Sequence, residues 1–410
     1  MATLEEAKLS DDEWEIVTRR CFIGRWGMRS SVSDRYIFVA GGTTGSDPIT
    51  NNAIYSNSCN VYDTQSNKWI ALPDAGLLFA FTTFVNGDYV YHIIGQHKKL
   101  YRLNIISLPE TDWEEMAEMI SARFDANIVP SCVEENYCFY ISGGYHGQEL
   151  QCVERYHPTE DRWEKLPDLP EGRHKHASAV VKNKLYVFGG SGKGWDDDCV
   201  SSSRMYNMEL MTWSTIPDLP MALSCHSATT VGKWIVVTGG CIRECFSGDK
   251  ICQSIFLFNT ETLKWYDSVT QLPYALSEHG SCILQNGTNG PRIALIGGRK
   301  GKGSYSDVII AIDFVRLLLK PNKVKQLSLI EACRVGLSWM EGVKDIVGNQ
   351  PESVTHRDSK TGLLPFMLAP DVGSCYELLH CTLGSVASLQ GWNEGEREQK
   401  APAKKKAKTA

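Results

Sequence analysis

Lys184-Leu-Tyr-Val-Phe-Gly189-Gly190, followed by Tyr206-Asn-Met-Glu-Leu-Met-Thr-Trp213-Ser-Thr-Ile216-Pro217, is the stretch that decides the fold. Its first half is a short run of β-forming residues, apolar enough to be buried on both faces. The glycine pair suits a strand end where φ turns positive and another backbone comes close. The second half sets an aromatic residue seven positions before a tryptophan, then closes on an apolar-proline pair. Two short strands around a turn satisfy that spacing.

Outward from this unit the same grammar returns. Glycine pairs stand at Gly41-Gly42, Gly143-Gly144, Gly239-Gly240 and Gly297-Gly298, and a sixth run, Tyr89-Val-Tyr-His-Ile-Ile, ends on the single Gly95. Tryptophans recur at Trp69, Trp113, Trp163, Trp213 and Trp265, with gaps of 44, 50, 50 and 52. Tyr62, Tyr156 and Phe258 each precede a tryptophan by the same seven positions as Tyr206. Leu72-Pro73 and Leu166-Pro167 repeat the closing pair. A period near 50 residues with four strands per unit signals radial repetition of small sheets.

Over residues 10–315 the chain resembles the kelch repeat family. The resemblance implies an all-β fold, a six-bladed kelch-type β-propeller. The second copy departs from it, with Gly95-Gln96 in place of the pair and twelve residues from Tyr101 to Trp113. The sixth copy has no tryptophan of its own, and Trp14-Glu-Ile-Val17 fits the missing outer strand. The expected propeller is therefore residues 1–319, with the ring closed by the N-terminal strand near Trp14.

Beyond Leu319 the strand pattern stops. Leu327 to Val347 has helical spacing, and Asp358-Ser-Lys-Thr-Gly362-Leu-Leu-Pro365-Phe-Met-Leu-Ala369 resembles the opening of an ankyrin repeat. Residues 320–392 are read as a small α-helical ankyrin-like segment. Two copies fall short of the roughly three that a free-standing stack needs, so docking on the propeller or on a partner is expected. Residues 393–410 read as a disordered lysine-rich tail. The run Lys404-Lys405-Lys406-Ala-Lys408 is either a nuclear import signal or a solvated tail with no address.

The chain has 42 Lys and Arg against 48 Asp and Glu, for a net charge of −6. Five of the lysines lie in residues 400–410, which leaves residues 1–399 at −11. An acidic body disfavours nucleic-acid binding over a broad face. No run reaches the roughly 18 apolar residues of a membrane span, and the first residues lack a secretory pattern. A cytoplasmic protein, with the lysine tail as a route to the nucleus, is the expectation. Fourteen cysteines then read as thiols rather than a disulfide framework.

Strand alternation places the post-glycine loops and the segments entering the next blade on one face. That face is expected to bind a partner protein, with Arg123, Arg173, Trp195, Asp196 and Asp197 as candidate contacts, since aromatics and arginine dominate binding hot spots. Trp195 folded back on its own blade is the other reading of that loop. His176, His226 and His279 share one register in successive units and are expected to line the channel. Their spacing follows the repeat rather than a ligand geometry, so no metal is assigned to them. Cys241, Cys245 and Cys252 share one loop without a Cys-x-x-Cys pair, leaving metal binding and redox sensing both open.

No P-loop, His-Glu-x-x-His, Gly-x-Ser-x-Gly or dinucleotide fingerprint occurs. No cofactor and no catalytic residue are assigned. The expected function is protein recognition or an adaptor role for an unspecified protein partner. Alternatives implied by the resemblance are a metal-dependent propeller enzyme of oxidase or lyase type, and a glycan-binding propeller. Kelch proteins that serve ubiquitin ligases usually carry a BTB or F-box domain. With thirteen residues before Trp14, neither is expected ahead of the propeller, and that link lacks support from the sequence.

Overall fold

The computed structural model describes residues 14–318, apart from 20–28, 33–34, 42, 47–52, 57, 74–81, 87, 95–96, 108–111, 134–135, 193–198, 244–249, 285–290 and 302–303. Residues 1–287 with 291–320 form one unit of the chain, and 288–290 with 321–410 a second. All described residues belong to the first. The ankyrin-like reading of 320–392 and the lysine tail lie outside the described residues.

Six four-stranded antiparallel sheets make up the described unit. Blade three shows the plan: Asn127–Val133 innermost, then Asn136–Ser142, Val153–His157 and Arg162–Leu166. Blade one runs from Arg29–Val32 to Lys68–Ala71 and blade two from Thr82–Asn86 to Glu114–Met116. Blade four runs from Ala177–Val181 to Thr212–Ile216 and blade five from Ser227–Val231 to Lys264–Asp267. The innermost strands touch one another in a closed cycle, with that of blade one meeting that of blade six. The result is a six-bladed β-propeller.

Blade six takes Gly280–Leu284, Arg292–Ile296 and Val308–Asp313 from the end of the unit. Its fourth strand is Glu15–Arg19, paired antiparallel with Val308–Asp313. A five-residue helix, Phe314–Leu318, follows.

The tryptophan spacing now has a physical cause. The residue seven positions upstream sits opposite each tryptophan across the outer ladder: Tyr62↔Trp69, Tyr156↔Trp163, Tyr206↔Trp213 and Phe258↔Trp265. Their ring centroids lie 4.8–5.1 Å apart. Such pairs add about 0.5–1.5 kcal/mol beyond burial. In blades two to five the indole N–H then reaches back to a carbonyl that follows the preceding blade. Trp113 donates to Pro73 at 3.0 Å, Trp163 to Ala117, Trp213 to Pro167 and Trp265 to Pro217 at 2.9 Å. Trp14 donates to Gln271 at 3.0 Å, which gives blade six the same tie to blade five. Apolar clusters fill the seams beneath these bonds; Tyr140, Leu185, Val187 and Tyr206 pack between blades three and four.

The glycine pair is required by contact. A Cβ on Gly239, at φ +58°, would meet the Leu276 carbonyl oxygen at 2.1 Å. The adjacent amide of Gly240 donates to that same carbonyl at 2.8 Å, joining blade five to the segment entering blade six. A side chain there would force the seam apart.

Candidate functional site

The two faces of the propeller differ in how much chain they carry. On one face four-residue turns, 64–67, 158–161, 208–211 and 260–263, join third to fourth strands. On the other, the segments 41–58, 143–152, 189–202, 239–254 and 297–307 join second to third strands, and only 95–98 is short. Among the described residues three of these loops carry hairpins of their own, Thr43–Ser46 with Ala53–Tyr55, Cys241–Arg243 with Lys250–Ile251, and Arg299–Gly301 with Ser304–Tyr305.

Arg123 and Arg173 lie at the base of this face, but their side chains are buried and turned inward. One Arg123 Nη donates to the carbonyls of Gly143, at 3.1 Å, and Cys152, at 2.9 Å, the two ends of the 143–152 loop. The other pairs with the buried carboxylate of Glu154, which also accepts the amides of Ile120 and Ser121 at 2.9 and 3.0 Å. Arg173 repeats the clamp one blade on, with Gly189 at 3.0 Å and Ser202 at 2.9 Å. The side chains expected as partner contacts are thus turned inward, and each holds the two ends of a long loop. A buried guanidinium needs its donors satisfied, and the loop-end carbonyls supply that.

The histidine register is also placed differently from the expectation. His176, His226 and His279 are buried in three separate seams instead of converging on the channel. Each imidazole lies against the first glycine of the preceding blade, Gly143, Gly189 and Gly239. His176 Nε2 shares a 2.9 Å hydrogen bond with Ser142 Oγ, and His279 Nε2 makes 2.9 Å contacts with Ser227 Oγ and Thr238 Oγ1. Burial holds His226 down to about 4 and His279 to about 3, so both are neutral at physiological pH. Among the described residues, no group of three or more His, Cys, Asp or Glu could hold a metal ion.

Cys241 and Cys252 are buried, and burial raises the Cys252 thiol. Cys245, Trp195, Asp196 and Asp197 lie outside the described residues.

One set of residues was missed in the sequence. Asp125, Lys175, Cys225 and Glu278 precede Ala126 and the three register histidines, and all four are left-handed, at φ +53°. Each passes a backbone bond to its neighbour: Lys175 N–H to Asp125 O, Cys225 N–H to Lys175 O and Glu278 N–H to Cys225 O, at 2.8–2.9 Å. Together they form a collar at the loop-face end of the innermost strands. Their side chains are partly exposed, and Cys225 Sγ donates to Glu278 Oε1 at 3.7 Å. Left-handed non-glycine residues cost energy and cluster where function needs them. The signal was present in the sequence: this position varies in chemistry from repeat to repeat while a histidine follows it in three of the four.

Residues 131–317 match the KLHDC2/KLHL20/DRC7 Kelch-repeats domain, and residues 27–76 match the Kelch motif. The chain is 26% identical over 234 residues to Kelch-like protein 38 of Mus musculus, covering 55% of this chain and 38% of that protein. Kelch-like protein 15 of Homo sapiens is 26% identical over 219 residues, 50% of this chain and 35% of the relative. Kelch-like protein 35 of Mus musculus is 24% identical over 261 residues, 62% and 41% respectively. The chain thus spans between 35% and 41% of the length of these relatives. It carries kelch repeats, folded into a six-bladed β-propeller.

Proposed function

We propose that this propeller is a protein-recognition module, an adaptor that binds a partner protein on its loop-bearing face. The observation that carries the reading is the collar. Four residues of the same strained backbone conformation present an acid, a base, a thiol and an acid on the face where the long loops gather. Similarity to kelch-like proteins supports an interaction role of unspecified partner. The buried arginine clamps support it further, because a loop fixed at both ends loses less entropy when a partner orders it.

The test is affinity enrichment from native lysate with the full chain and its Lys175→Glu variant. The variant places a third acid in the collar, leaves the backbone bond from Lys175 intact, and should lose the enriched proteins while melting within a few degrees of wild type. A folded variant that retains every partner would remove the collar from the site.

A further inference from the structure

The second blade contains a core residue that its five sisters do not share. In every blade the second residue of the innermost strand faces one residue of the next strand. The pairs are Ser30↔Val39, Ile128↔Ile141, Ser178↔Val187, Ala228↔Val237 and Ser281↔Leu295. In blade two the pair is Thr83↔His92. Five aliphatic side chains and one imidazole thus occupy the same buried place, and His92 is 0% exposed.

Among the described residues neither ring nitrogen of His92 has a hydrogen-bond partner, and neither does Thr83 Oγ1 opposite it. The ring lies 5.8 Å from that of Trp113, and its partner on the third strand is Tyr101. His92 shares its strand face with Val90, which packs with Phe38, Ala40, Cys59, Val61 and Leu72 of blade one. On that face of blade one the titratable groups are the Cys59 thiol, Tyr36 and the buried Asp63 carboxylate, which is held by Arg35; in register within blade two it is Tyr101. Among the described residues no carboxylate shifts the ring, and desolvation by burial lowers its affinity for a proton. Leaving buried polar atoms unmatched is costly even in the neutral state.

We propose that the seam between the first and second blades is an acid-triggered opening point of the ring, with His92 as the group that takes the proton. The bond balance is simple: a proton from water goes to one imidazole nitrogen once the seam parts, and no other bond changes. The folded value is depressed to about 4 from 6.5. The stability that neutral His92 permits is complete above 6.5 and is lost as pH falls toward 4. Seams four–five and five–six also contain depressed histidines. In seam five–six His279 is hydrogen-bonded; in seam four–five His226 is as unpaired as His92 among the described residues, but the Gly190 amide bridges its two blades at 2.8 Å.

Amide hydrogen exchange of the full chain at pH 7 and pH 5, corrected for intrinsic rates, tests this. Peptides covering 36–40 and 89–104 should exchange about tenfold faster at pH 5 relative to those covering 184–188 and 234–238. His92→Val, which restores the residue type of the sister blades, should abolish the difference. His92→Gln, polar but unable to take a proton, serves if the valine variant does not fold. Uniform loss of protection, loss beginning in blades five and six, or an unchanged pH response in either variant would overturn the proposal.

Discussion

Blades three and four solve with charge a packing problem that blades five and six solve with hydrocarbon. The position of Arg123 and Arg173 is Leu223 in blade five and Leu276 in blade six. The third-strand residue that answers it is Glu154, Arg204, Phe256 and Ile310 in turn, each opposite the residue two before the glycine pair. In blade three a buried ion pair clamps the loop. In blade four the one carboxylate of Glu171 contacts both Arg173 and Arg204. In blade five Leu223 and Phe256 belong to one apolar cluster. The backbone scarcely notices. Gly144, Gly190 and Gly240 each donate at 2.8 Å to the next blade, whether the receiving carbonyl belongs to Arg173, Leu223 or Leu276. The repeat fixes the frame, and each blade chooses how to fill it.

The largest expected effect comes from breaking the charged solution on one side. Glu154→Ala leaves Arg123 buried without its counter-ion and should cost about 3–5 kcal/mol in chemical denaturation. The double variant Arg123→Leu with Glu154→Ile copies blade six and should recover most of that loss, because apolar replacement of a buried ion pair is often neutral. A double variant as unstable as Glu154→Ala would mean the charges also set the loop conformation. On the apolar side, Leu223→Ala should cost about 2–4 kcal/mol through its cavity.

A smaller effect should follow pH. His226 and His279 are depressed in the fold to about 4 and about 3. They are neutral in both states above 6.5, so their contribution is complete there. As pH falls toward 4 the unfolded chain takes protons that the fold refuses, and stability drops. His279→Gln should flatten the decline in melting temperature between pH 6.5 and 4.5; an identical slope would place the acid response elsewhere. The smallest effect is a single tie: Trp14→Phe keeps an aromatic side chain but loses the pyrrole half of the indole and its bond to Gln271, the bond itself being worth about 1 kcal/mol in denaturation.

The propeller was legible because its signals are local and repeated. Tyr206 and Trp213 announce a cross-strand pair within eight residues, and the glycine pairs mark the strand ends. The destinations of charged and titratable side chains were not legible. Arg123 finds Glu154 31 positions away, and nothing near Arg123 in the chain reveals that it will be buried. The histidine register was visible, but the direction of the side chains was not, since a one-residue change of parity exchanges a seam for a channel. His92 was readable as a lone polar residue in Tyr89-Val-Tyr-His-Ile-Ile, yet its missing partners appear only when the blades are assembled.

The central claim is that partners meet the loop-bearing face, and amide exchange with and without an enriched partner tests it most directly. Protection concentrated in residues 143–152, 189–192, 199–202 and the collar around 125, 175, 225 and 278 is the predicted result. Protection confined to the turns 64–67, 158–161, 208–211 and 260–263 would contradict it and move recognition to the opposite face.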